Sequence, residues 1–67
     1  MKIRDLIRGL TIIGKYADPE SDQTAAQHDI FFVGPYEKTH AKMTEAERLE
    51  MEELGFFESE ESWAFFT

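Results

Sequence analysis

A chain of 67 residues without a single cysteine has to hold itself together with one small hydrophobic core. At roughly this length, folding hides only about 60% of the surface that the unfolded chain exposes. Disulfides and cysteine-ligated metals, the usual staples of small domains, are ruled out by composition. One domain spanning residues 1–67 is the organisation that this length supports. The material for its core is visible. Seven of the nine aromatic residues fall in three tight groups, Phe31–Phe32, Phe56–Phe57, and Trp63 with Phe65–Phe66. Disordered chains are poor in such residues, so the chain is expected to fold despite its high charge.

Periodicity then divides the chain. Apolar positions at Ile3, Leu6, Ile7, Leu10, Ile13 and Tyr16 predict a helix over residues 3–16, with that stripe turned to the core and Arg4, Arg8 and Lys15 opposite. Asp18-Pro19 is the expected stop, and residues 17–27 read as a loop. Asp29-Ile30-Phe31-Phe32-Val33, closed by Gly34-Pro35, predicts a strand that is apolar on both sides and therefore central or covered. Residues 36–43 read as a connection. Thr44 and Glu47 form a capping box that opens a helix over 45–54, and Gly55 stands where a C-terminal glycine belongs. Its apolar face, Ala46, Leu49 and Leu54, is thin, and Glu50 and Glu53 intrude on its edges. The last segment predicts a hairpin of strands 56–58 and 63–66 around a four-residue acidic turn. In it Trp63 and Phe65 share one face and Ala64 and Phe66 the other, implying helices over one face and a partner on the second. The expected fold class is α+β, a small antiparallel sheet of about three strands covered by one or two helices, in the order α-β-α-β-β.

Charge narrows function. Fourteen acidic residues face seven basic ones, a net −7. Residues 1–16 carry a local +3 and residues 17–67 carry −10, concentrated between Glu45 and Glu61. So acidic a chain cannot displace the counterions of a nucleic-acid backbone, which excludes direct nucleic-acid binding. It suits a basic protein surface, including one that itself holds DNA or RNA. The residues expected to meet such a partner are Glu47, Glu50, Glu53, Glu58, Glu60, Glu61 and Trp63. A solvated, solubilising face is the competing explanation of the same acids.

Other chemistries find little support. Asp18, Glu20 and Asp22 alternate like calcium-loop ligands, but Gln23 replaces the required glycine and Asp29 the bidentate glutamate. His28 and His40, with Asp29 and Glu37, match no compact zinc spacing, so no metal and no cofactor is expected. Ser21, Ser59 and Ser62 lie in turn-like contexts rather than on a nucleophile elbow, and the scattered glycines form no phosphate loop. An enzyme is not expected. No apolar run reaches the ~18 residues of a membrane span, and the basic N-terminal helix is assigned to the core rather than to a membrane surface. The expected setting is the cytoplasm, as a monomer or homodimer.

Leu54-Gly55-Phe56-Phe57, an acidic turn, and Ser62-Trp63-Ala64-Phe65-Phe66-Thr67 resemble the tail of small acidic phage and prophage proteins. Gln27-His28-Asp29-Ile30-Phe31-Phe32-Val33-Gly34 and the capped acidic helix are similar to segments of the same proteins, with Phe57 where the usual tail has Trp. The resemblance implies a mobile-element origin. By class-level analogy it implies an inhibitor of host machinery, of the anti-CRISPR, anti-defence or DNA-mimic kind.

Overall fold

The computed structural model describes residues 1–18 and 20–66. Along the chain run α1 (Ile3–Tyr16), β1 (Thr24–Gln27), β2 (Ile30–Pro35), α2 (Tyr36–Lys42), α3 (Glu45–Leu54), β3 (Phe57–Ser59) and β4 (Ser62–Phe66). The class is α+β, with four strands rather than three and with a helix between β2 and α3. α1 and α3 have the expected limits. α3 opens on the expected capping box, in which Thr44 accepts from the Glu47 N–H and the Glu47 carboxylate accepts from the Thr44 N–H. It closes on Gly55 at φ 98°, in the left-handed region where glycine is tolerated without strain. α1 ends at Tyr16, and Ala17 is already extended. Pro19, the expected stop, lies outside the described residues.

Two elements were not expected. Thr24-Ala25-Ala26-Gln27 has neither β-branched alternation nor aromatic content, yet it pairs along its whole length with β2. Strand pairing here overrides weak local preference. α2 is seven residues long and is held by one bond within its own first turn and one across to β4. The Thr39 hydroxyl donates to the Pro35 carbonyl and accepts from the Trp63 indole N–H, at 2.7 and 2.8 Å.

All pairings are antiparallel and the strand order is β1-β2-β4-β3, so the aromatic β2 and β4 are central and short edges flank them. Register sorts the side chains into two faces. Val33 opposite Trp63, and Phe31 opposite Phe65, point to the helices. Ala25, Phe32, Ala64 and Phe57 form a row on the reverse side, with Gln27, Ile30 and Phe66 beside it. The core joins the first face to the helices through Ile12, Ile13, Met43, Met51, Phe56, Trp63 and Phe65.

Two helical faces are rotated from those expected. α1 packs through Leu6, Gly9, Ile12, Ile13 and Tyr16, which leaves Ile3 (76% exposed), Ile7 (60%) and Leu10 at the surface. Gly9 is the cause. The Phe56 ring occupies the space that a Cβ on Gly9 would need, so the helix approaches on its glycine side. In α3 the inward positions are Glu47, Met51 and Leu54, with Leu49 and Ala46 exposed.

Candidate functional site

The expected site residues separate into two groups. Glu47 and Glu50 turn towards α1. Glu47 is only 8% exposed. Its carboxylate accepts from the Lys15 ammonium, from the Tyr16 hydroxyl at 2.6 Å and from the Thr44 N–H at 2.9 Å. Led by the Lys15 hydrogen bond, these donors hold its pKa at about 2, against an ordinary 4.5. Glu50 takes a two-pronged contact from Arg8, at 2.7 and 3.0 Å, and its pKa is lowered by the same pair. Asp5 stands three residues before Arg8, at helical pairing distance, but Arg8 reaches across to α3 instead. Both acids therefore tie α1 to α3, in contrast to the acids that have no ion partner among the described residues.

Trp63 is also withdrawn. At 2% exposure it lies under α2, bonded to Thr39 and packed on Tyr36, with ring centroids 4.5 Å apart. A tryptophan in the middle of β4 could face either way in sequence. The register with β2 and the Thr39 acceptor turn it inward.

Of the remaining expected acids, Glu58, Glu60 and Glu61 come together at one margin of the sheet. Ser59 pairs with Ser62, so the β3–β4 turn is two residues, Glu60–Glu61, rather than four. Both have positive φ, 51° and 64°. This is the type I′ geometry that asparagine and glycine fill with least strain. Glutamate there costs about 1–2 kcal/mol per residue. The turn overhangs a solvent-open cleft of about 520 Å³ whose lining includes Asp22, Glu37, Glu58, Glu60, Glu61, Lys38 and Phe32. Glu58 also lines a second groove of about 340 Å³ with Glu52, Arg48, His40 and Tyr36. The Tyr36 phenol is pushed above its ordinary pKa, first by burial and then by the Glu58 charge.

The carboxylates of Asp22, Glu37, Glu52, Glu58, Glu60 and Glu61 make no ion pair or side-chain hydrogen bond with the described residues. Glu53 is exposed on α3 and lines neither concavity. Asp22, Glu37 and Glu52 were absent from the expected site. Asp22 reaches the cleft because β1 forms a strand, and Glu37 because α2 starts at Tyr36; neither element had a clear local signal. Glu52 could have been found from its position in the acidic run.

His28 sits in the β1–β2 turn at φ 56°, whereas His40 stacks on Tyr36 in α2. Among the described residues no group of three or more His, Asp or Glu is arranged to hold a metal ion. No helix among them is long and apolar enough to cross a membrane. No known protein family, curated protein or solved structure matches the chain.

Proposed function

We propose that this chain is a non-catalytic, phage- or prophage-type binding protein. Its acidic margin docks on a basic host protein, of the kind that handles nucleic acids in the cytoplasm, and inhibits or modulates it. The observation that carries this reading is the Glu60–Glu61 turn. Two glutamates stand in left-handed conformations where Asn-Gly would fold with less strain. Next to them four further carboxylates, Asp22, Glu37, Glu52 and Glu58, line adjoining concavities without internal ion partners. Acid needed only for solubility has no reason to occupy strained backbone. Charges held together on a two-residue hairpin tip meet lysine or arginine as a group, and they steer the encounter.

The experiment is capture from host lysate, identification of the bound protein, and then kinetics with the purified pair. Replacing Glu37, Glu58, Glu60 and Glu61 by Gln is expected to weaken binding by about tenfold or more, equivalent to about 1.4 kcal/mol. Raising salt is expected to slow association. Binding indifferent to both changes would sink the proposal.

A further inference from the structure

We infer that the reverse face of the sheet is a homodimer interface, closed by a second copy of this chain stacking face to face. All three helices and the large side chains of the core cluster lie on the other face. The uncovered one carries Ala25, Gln27, Ile30, Phe32, Phe57, Ser59, Ser62, Ala64 and Phe66 by register. No charged residue occupies it among the described residues, in a chain that is 31% charged. A solvated face of an antiparallel sheet normally alternates to polar side chains. This one instead keeps Phe66 at 57% exposure, packed on Phe57 with ring centroids 5.3 Å apart, and buries Ala64 completely.

Charge selects the occupant. Among the described residues the face's margin is net acidic, with Asp22, Glu37, Glu58, Glu60 and Glu61 beside a single cation, Lys38. An anionic lipid surface or a nucleic acid would be repelled there. A basic protein is drawn to that margin rather than to the uncharged centre. A second copy meets the centre with no ion to desolvate. A two-fold axis crossing the strands sends the two acidic margins to opposite ends of the stack, separated by about the ~17 Å length of a five-residue strand. The product is an aligned sheet-on-sheet sandwich that gives a small domain a second core. Four strands at ~4.8 Å spacing and ~17 Å length present roughly 300 Å² in plan. That falls short of the ~800 Å² per partner of a standard interface, so the dimer is weak and reversible and its population rises with concentration.

Sedimentation of the full chain from ~1 µM to ~1 mM, a range wide enough to populate a weak interface, tests this. The mass should rise from 7.8 kDa towards twice that value. Phe66→Glu, at an exposed position, should weaken dimerisation at least tenfold while keeping the monomer's circular dichroism. Added salt should strengthen the dimer by screening −7 against −7, opposite to its expected effect on capture of a basic partner. If Phe66→Glu does not fold, dilution of the wild type decides, with NMR shifts expected at Ile30, Phe32, Phe57 and Phe66. A mass fixed at 7.8 kDa throughout would overturn the inference. So would a dimer that Phe66→Glu leaves intact, or dilution shifts confined to the β1 edge or to Ile3, Ile7 and Leu10 of α1.

Discussion

Glu47 and Glu60 are thirteen positions apart and chemically identical, yet the fold treats them in opposite ways. Glu47 receives three donors and little water, and its charge is part of what joins α1 to α3. Glu60 is exposed, shares a strained turn with Glu61, and has no ion partner among the described residues. One acidic run thus contains structural acid and spare acid. Net charge counts the two together; hydrogen-bond geometry separates them.

The largest effect that would break this contrast is at Glu47. Glu47→Ala removes the capping-box acceptor and leaves Lys15 and Tyr16 without their shared partner. Its fall in Tm should exceed that of Thr44→Ala, which loses only the cap, about 1 kcal/mol. Acid should expose the same group. Its folded pKa is depressed, so the stabilisation is complete above its ordinary 4.5 and is lost as pH falls from there towards about 2. A pH series followed by circular dichroism should lose that slope in Glu47→Gln. A wild-type slope in the variant would mean that Glu47 is not the structural acid.

Next comes α1, which carries the cations that make Glu47 and Glu50 structural. Gly9→Ala forces a methyl into the Phe56 ring and should cost about 1–3 kcal/mol in denaturant melts. Gly14→Ala, on the same helix with nothing within 4 Å of the added carbon, should stabilise by up to about 1 kcal/mol. Equal effects at the two glycines would contradict the close approach at Gly9. The smallest effect is expected at the spare acids of α3: Glu52→Gln and Glu53→Gln should shift stability by no more than about 0.5 kcal/mol.

How far the sequence reveals this contrast depends on what each residue's neighbours decide. Thr44, Glu47 and Gly55 delimit α3 through bonds within a few residues, so the helix and its cap are legible. The Phe56–Phe57 and Trp63–Phe66 arms mark the hairpin, and alternation alone puts Trp63 and Phe65 on one face. β1 and α2 are not legible, because Thr24–Gln27 becomes a strand only beside β2 and α2 depends on Thr39 reaching Trp63. α1 shows the limit most clearly. Its limits follow from periodicity, but its inward face is chosen by a glycine, and glycine carries no weight in an apolar stripe. Rotation of that helix aims Lys15 and Arg8 at α3, and so decides which acids remain for a partner.

The central claim is that the spare acids serve binding and not folding, and one double substitution tests it most directly. Glu60→Asn with Glu61→Gly gives the hairpin the residues its turn geometry favours and removes two charges. Stability should rise by about 1–2 kcal/mol in denaturant melts, and affinity for the captured host protein should fall several-fold. A variant that is more stable and binds its partner as tightly as the wild type would contradict the account.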